Sequence, residues 1–119
     1  MLLLELFADR MGFTTMINAN FDLPVGQIKT LCQRWQISEF ALFGSVLRDD
    51  FGPTSDIDVL LTFAPQARQG LLTLAQIQHE LADLLGREVD ILTKASIQQS
   101  HNQARRHHIL NSAQVFYVA

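Results

Sequence analysis

The run Asp56 to Phe63 (DIDVLLTF) constrains the fold of this chain more than any other segment. Its far half is apolar at successive positions, which is typical of a central strand covered on both faces. Its near half carries Asp56 and Asp58, whose side chains leave the same face of a strand about 7 Å apart. The sequence therefore predicts a sheet with two carboxylates at the mouth of a central strand.

A third acid belongs with this pair. Asp90 lies between Val89 and Ile91 in the predicted strand Glu88 to Thr93, so a neighbouring strand can bring its side chain beside the other two. Clustered carboxylates repel each other and lose hydration, which disfavours their charged forms unless a cation is present. Mg²⁺ prefers oxygen ligands and binds through carboxylates together with substrate phosphates. Asp56, Asp58 and Asp90 therefore predict a magnesium site, and three carboxylates permit two ions.

The predicted strand Ile37 to Phe43 ends at Gly44-Ser45. This turn supplies donors for phosphate oxygens, which the acids cannot provide. Glycine lets the backbone approach a phosphate, and successive amides at a turn form a cradle for negative oxygens. Ser45 adds a hydroxyl. Arg48 lies one turn further on, where it would reach a phosphate or pair with a site carboxylate, with an ordinary surface charge as the alternative.

The remaining elements follow from periodicity and turn signals. A helix starting at Asp22 and Pro24 carries an apolar stripe, and a longer leucine-rich helix from Leu71 ends at Gly86. Because strands flank this second helix, a sheet with a helical crossover is expected. Residues 48–55 are rich in turn formers and predict an exposed loop. Residues 96–110 are expected to be helical, and 115–118 to form an edge strand.

Composition limits the class of protein. A chain of 119 residues with 48% hydrophobic content builds one ordinary core, and a net charge of -3 argues against broad affinity for nucleic acid. Cys32, the single cysteine, cannot form an internal disulfide, which favours a reducing cytoplasm. The apolar opening is interrupted by Glu5 and lacks a basic flank, so neither a signal peptide nor a membrane span is expected. Met16 offers a second plausible start, so residues 1–15 are predicted to be a disordered or misassigned extension, with 16–119 as a single domain.

One basic patch has two interpretations. For Arg105 to His108 (RRHH) the default expectation is a solvated helix face, and the alternative is contact with an acidic partner or a nucleotide phosphate. The histidines lack convincing spacing for metal ligands.

Gly44-Ser45, ten further residues and Asp56-Ile57-Asp58 together resemble the GS-x(10)-D-x-D signature of nucleotidyltransferases of the polymerase-beta superfamily. The segments 43–48, 55–60 and 88–92 look like the minimal nucleotidyltransferase (MNT) group, and the resemblance covers about residues 24–119. Many relatives carry Ala-Arg-Gly after the turn, whereas this chain has Leu47-Arg48-Asp49. That departure concerns the path of the loop and leaves the carboxylates in place.

The resemblance implies an α/β (α+β) polymerase-beta-like nucleotidyltransferase fold, with a short mixed sheet flanked by helices. It implies Mg²⁺ as cofactor and ATP as substrate. Asp56 and Asp58 would bind both metals, Asp90 would complete the second site and accept a proton, and Gly44 and Ser45 would position the β- and γ-phosphates.

Stand-alone members of the MNT group commonly act as antitoxins beside a HEPN-domain ribonuclease toxin, and some transfer AMP to a tyrosine of that toxin. We therefore expect a HEPN toxin as partner, with no direct binding to nucleic acid or membrane. A homo-oligomer or a hetero-oligomer with the toxin is compatible with this expectation. Two alternatives stay open: an antitoxin that acts by binding alone, and a nucleotidyltransferase that modifies a small molecule.

Overall fold

A four-stranded mixed sheet organises the chain. The computed structural model describes residues 15–18 and 21–119, so the predicted extension 1–15 lies outside the described residues except for the backbone of Thr15. In chain order the elements are β1 (Thr15–Asn18), β2 (Phe21–Leu23), α1 (Val25–Arg34), β3 (Ile37–Phe43), a 3₁₀ turn (Gly44–Leu47), β4 (Ile57–Phe63), α2 (Leu71–Leu85), β5 (Val89–Thr93), α3 (Lys94–Gln98), α4 (Gln103–Ser112) and β6 (Gln114–Val118).

The strand order of the main sheet is β5-β4-β3-β6, while β1 and β2 form a separate antiparallel pair. β3 runs antiparallel to both β4 and β6, and β4 runs parallel to β5. Helix α2 makes the crossover that a parallel pair requires. The predicted helical crossover, the inner position of β4 and the edge position of β6 are all confirmed.

The alternation of side chains along β4 divides the interior into two clusters. Ile57, Val59 and Leu61 are buried in the larger one, which packs against α1 and α2. Leu60 points the other way, into a smaller cluster with Ile97 of α3 and Ile109 of α4. Asp58 shares the face of Leu60, because residues two apart on a strand point the same way. The face that carries the acid is therefore the more thinly covered one.

The two helices predicted from apolar periodicity are present, with one change at an end. Helix α1 buries Ile28, Leu31 and Cys32, and burial raises the pKa of the Cys32 thiol to about 12. Asp22, which was expected to help start this helix, lies in β2, and Pro24 occupies the cap position instead. Helix α2 ends at Gly86 in the left-handed conformation, as predicted.

The predictions for the loop 48–55 and for the helical tail 96–110 need correction. Phe51 is buried rather than exposed in the loop 48–55, because its ring packs edge-on against Phe21 and beneath the guanidinium of Arg87, 4.4 Å from its centroid. Arg87 also donates to the backbone carbonyls of Gly52 and Ser55, so this loop is held against the rest of the domain.

The helical tail is divided at residues 99–102 into α3 and α4. Within the described part of the chain, no helix is long and apolar enough to cross a membrane.

Candidate functional site

Two of the predicted carboxylates lie side by side on the sheet. Asp58 and Asp90 are direct register partners in the parallel pair β4–β5, and each is the second residue of its strand. Asp56 was expected on the strand but lies one residue ahead of it, exposed at the rim. Asp58 and Asp90 therefore form the centre of the candidate site, with Asp56 at its edge.

The fold disfavours the negative charge of Asp58. Partial burial raises its pKa, and the negative charges of Asp90 and Asp56 raise it further. Arg48 and Arg105 lower it and only partly offset these effects. A carboxylate surrounded in this way is better stabilised by a cation than by the groups present.

Gly44 makes this arrangement sterically possible. Its φ is +77°, in the left-handed region that favours glycine, and a Cβ at this position would overlap Oδ2 of Asp58 and lie 3.3 Å from its Cγ. The ladder between β3 and β4 sets this approach, because Phe43 is the register partner of Asp58. The first residue of the 3₁₀ turn therefore lies directly against a site carboxylate.

The two other predicted residues of the turn region have different surroundings. Ser45 is half-buried, and its Oγ donates to the backbone carbonyl of Asp56 over 3.5 Å. Arg48 is exposed and pairs with Asp50, 3.1 Å from Nε to Oδ1, rather than with a site carboxylate. Its charge still lowers the pKa of Asp58, so it lies close enough to act through space.

Asp90 borders two open clefts. One, of about 350 Å³, is lined by Asp58 and Asp90 on the sheet and by Arg105 and His108 on α4. The other, of about 450 Å³, lies towards α2, and its polar lining comes from Asp56, Asp90, Gln78, His79 and Glu88. A larger groove of about 520 Å³ between α1 and α2 contains none of the predicted site residues.

Arg105 and His108 were not predicted as site residues, although contact with phosphate was one interpretation of their patch. The signal that could have placed them is their spacing from Ile109. Residues 105, 108 and 109 lie on one face of a helix, and the buried Ile109 turns that face towards the sheet.

Magnesium fits the donors present only together with a phosphate ligand. Among residues 15–18 and 21–119, no three His, Cys, Asp or Glu side chains form a ready-made metal cage. Mg²⁺ does not need one, since it usually binds through one or two carboxylates, water and substrate phosphates. Asp58 and Asp90 offer adjacent oxygen ligands, and partial burial together with the charges of Asp90 and Asp56 raises the pKa of Asp58, which a bound cation would counteract.

Comparison with known proteins gives one family and a group of similar folds. A family model described as a nucleotidyltransferase domain matches residues 26–115. MJ1217 of Methanocaldococcus jannaschii, provisionally named a protein adenylyltransferase, is 39% identical over 69 residues, which cover 58% of this chain and 68% of that protein.

Two solved structures have the same fold. A chain from the crystal structure of a toxin-antitoxin with AMP-PNP superposes on this chain with a TM-score of 0.63 at 16% identity. The superposition covers 82% of this chain and 75% of the other. A complex of tri-AMPylated Shewanella oneidensis HEPN toxin with MNT antitoxin superposes with a TM-score of 0.55 at 16% identity, over 80% and 70% of the two chains. At this identity they establish the fold alone, and the fold class predicted from the sequence is confirmed.

Proposed function

Because this chain belongs to the nucleotidyltransferase domain family, we propose that it transfers AMP from ATP to a hydroxyl group of a partner protein. The observation that carries the proposal is the pairing of Asp58 with Asp90 in register, with Gly44 against the Asp58 carboxylate. This places two oxygen ligands beside a turn that only glycine can begin. The relative MJ1217, with its protein adenylyltransferase name, supports the choice of reaction.

In this proposal the chain's own residues bind, orient and accept a proton. Asp56 and Asp58 hold magnesium, with Asp90 completing a second ion site, and bound magnesium supplies charge neutralisation for the triphosphate. Gly44 and Ser45 position the β- and γ-phosphates, and Arg48 contributes positive charge at the rim. These residues act mainly by positioning the nucleotide and by stabilising its negative charge.

The reaction is an in-line displacement at the α-phosphate. An acceptor hydroxyl oxygen forms a bond to the α-phosphorus as the bond to the bridging oxygen breaks, so that pyrophosphate leaves. The hydroxyl proton passes to the carboxylate of Asp90. Asp90 suits this role because it is exposed and borders both clefts, where an acceptor from outside can approach it.

We further propose that the acceptor is a tyrosine of a HEPN-family toxin, which makes the chain a cytoplasmic antitoxin. The solved complex of an AMPylated HEPN toxin with MNT antitoxin supports this partner, and the AMP-PNP structure supports ATP as the nucleotide. Residues 16–119 act as one domain that forms a hetero-oligomer with the toxin. The competing function is neutralisation by binding alone, without transfer.

Intact mass spectrometry tests the proposal. A HEPN-family toxin is incubated with this chain, ATP and Mg²⁺, and the reaction is compared with those of the Asp58→Asn and Asp83→Asn variants. Asp83 is a matched control because it is exposed on α2, and α2 packs on the sheet face opposite Asp58. We expect added AMP with the wild type and Asp83→Asn, and none with Asp58→Asn. A stable complex that rescues growth and yields no added mass would establish the binding-only antitoxin instead.

A further inference from the structure

Helix α4 presents Arg105 to the cleft that contains the acids. Ile109, one turn later, is buried in the smaller core cluster and fixes the rotation of the helix against the sheet. Residues four apart share a helix face, so the anchored isoleucine keeps Arg105 on the sheet side. Arg105 accordingly lines the same cleft as Asp58 and Asp90.

Arg105 differs from the other arginines near the site in what its guanidinium contacts. Its backbone N–H donates to Oδ1 of Asn102, the helix cap, but within 15–18 and 21–119 its guanidinium forms no ion pair or hydrogen bond. The arginines around it are all held by protein groups: Arg48 by Asp50, Arg87 by the carbonyls of Gly52 and Ser55, and Arg106 by the carbonyls of Gln98 and Ser100.

The cleft separates this free cation from the carboxylates. Arg105 influences the charge of Asp58 through space but lies outside ion-pair distance of Asp58 and Asp90. The open cleft that they line has a volume of about 350 Å³, which leaves room for a ligand between the guanidinium and the carboxylates. A ligand with several negative oxygens can contact the guanidinium on one side and, through its metal, the carboxylates on the other.

From this geometry we infer that Arg105 binds the triphosphate of the nucleotide directly, as a second phosphate contact besides the Gly44–Ser45 turn. The inference rests on the proposed function for the identity of the ligand. A guanidinium suits this position because its planar fork of donors matches two phosphate oxygens at once, which an ammonium cannot do. Arg105 would then be a catalytic residue, since it touches the reacting nucleotide.

The test is calorimetric binding of two probes, inorganic tripolyphosphate and an α,β-methylene analogue of ATP, each with Mg²⁺ and with EDTA. The variants are Arg105→Gln, Arg105→Lys and two controls of equal charge, Arg106→Gln and Arg68→Gln. We expect Arg105→Gln to weaken both probes by about 10- to 100-fold, with and without metal, and Arg105→Lys to restore part of the loss. The controls should stay close to wild type, because Arg106 contacts backbone carbonyls and Arg68 lies beyond the far end of β4.

The other outcomes overturn the inference in different ways. Equal binding by Arg105→Gln and wild type removes the phosphate contact and leaves the proposed function standing. If Arg105→Gln weakens binding of the probes with Mg²⁺ but not with EDTA, Arg105 acts through the metal site at Asp58 and does not contact the phosphates. A loss for the ATP analogue without one for tripolyphosphate would place Arg105 on the base or ribose. If the wild type binds neither probe, the proposed function fails together with the inference.

Discussion

The two faces of the sheet differ in how completely they are covered. On one face Ile57, Val59 and Leu61 are enclosed by α1 and α2 in the larger cluster. On the other, α3 and α4 cover Leu60 but leave Asp58 and Asp90 beside an open cleft. β4 therefore contributes to stability through one set of alternate residues and to the candidate site through the other.

The comparison teaches that the site is built where the fold can tolerate charge. A carboxylate on the α1–α2 face would be buried without solvent, at a free-energy cost of several kcal/mol, about as large as the whole stability of a small domain. On the open face the same side chain keeps access to water and to ligands. Substitutions on the two faces should therefore separate stability from activity.

The largest expected effect is on the open face. Asp58→Asn should lower the rate of AMP transfer by about 1,000-fold, equivalent to about 4 kcal/mol, because it removes a charged ligand of the proposed magnesium site. In the absence of metal, the free energy of unfolding of this variant should rise at neutral pH, because the disfavoured negative charge of Asp58 is no longer present. Steady-state kinetics and urea denaturation measure the two quantities. If Asp58→Asn loses stability together with activity, the open face is not separate from the face that stabilises the fold.

The next largest effect compares two leucines on β4. Leu61→Ala should lower the free energy of unfolding by about 4 kcal/mol, and Leu60→Ala by about 2 to 3 kcal/mol. Leu61 is fully enclosed in the larger cluster, whereas the thin layer over Leu60 can collapse around the cavity. Urea denaturation of both variants measures the difference. Equal losses, or a greater loss at Leu60, would mean that both faces are equally rigid.

Two glycines with the same backbone conformation sharpen the comparison further. Gly44 and Gly86 have φ of +77° and +66°, but a Cβ would meet Asp58 at the first and open space at the second. Both alanine variants should lose about 1 to 2 kcal/mol of stability from the backbone alone. Gly44→Ala should additionally lose most AMP transfer, because the new methyl group displaces the Asp58 carboxylate. Full activity of Gly44→Ala would show that the close approach is not required.

The smallest effect is the pH dependence that Asp58 adds to stability. Its pKa is raised in the folded state above the ordinary 3.8, so its ionised form destabilises the folded protein at neutral pH. The cost declines as pH falls through the raised pKa and disappears well below the ordinary value of 3.8. In EDTA, Asp58→Asn should be more stable than wild type at neutral pH, and the difference should disappear as pH falls well below 3.8. A stability difference that stays constant with pH would contradict the raised pKa.

Most of the fold could be predicted because its signals are local. Apolar runs and helical periodicity identified β4, the crossover and α2, and Gly86 marked the helix end. The fate of Phe51 was not predictable, because an aromatic residue among turn formers becomes buried only when Arg87, distant in sequence, covers it. The break at 99–102 was missed for a similar reason, since Arg106 holds the carbonyls of Gln98 and Ser100 across that break.

The sequence predicted which residues form the candidate site better than it predicted how they are arranged. Spacing on strands placed Asp58 and Asp90 on faces that could meet, and the strand pairing brings them into register. Their roles, and those of Asp56, Gly44, Ser45 and Arg48, stay predictions until tested. Arg105 escaped selection because, on this largely polar helix, its spacing from Ile109 is a weak signal of which side faces the protein. Only the packing of Ile109 sets that rotation.

The parallel pairing of β4 with β5 also bears on the order of folding. An antiparallel partner can follow directly in the chain, but β5 reaches β4 only after the whole of α2 has been made and folded across the sheet. Contacts between distant segments form slowly because the chain must first lose the entropy of closing the loop. On the ribosome, a chain made only as far as Phe63 holds Asp56 and Asp58 without Asp90. We therefore expect the emerging protein to complete its β3–β4 core before it can acquire activity.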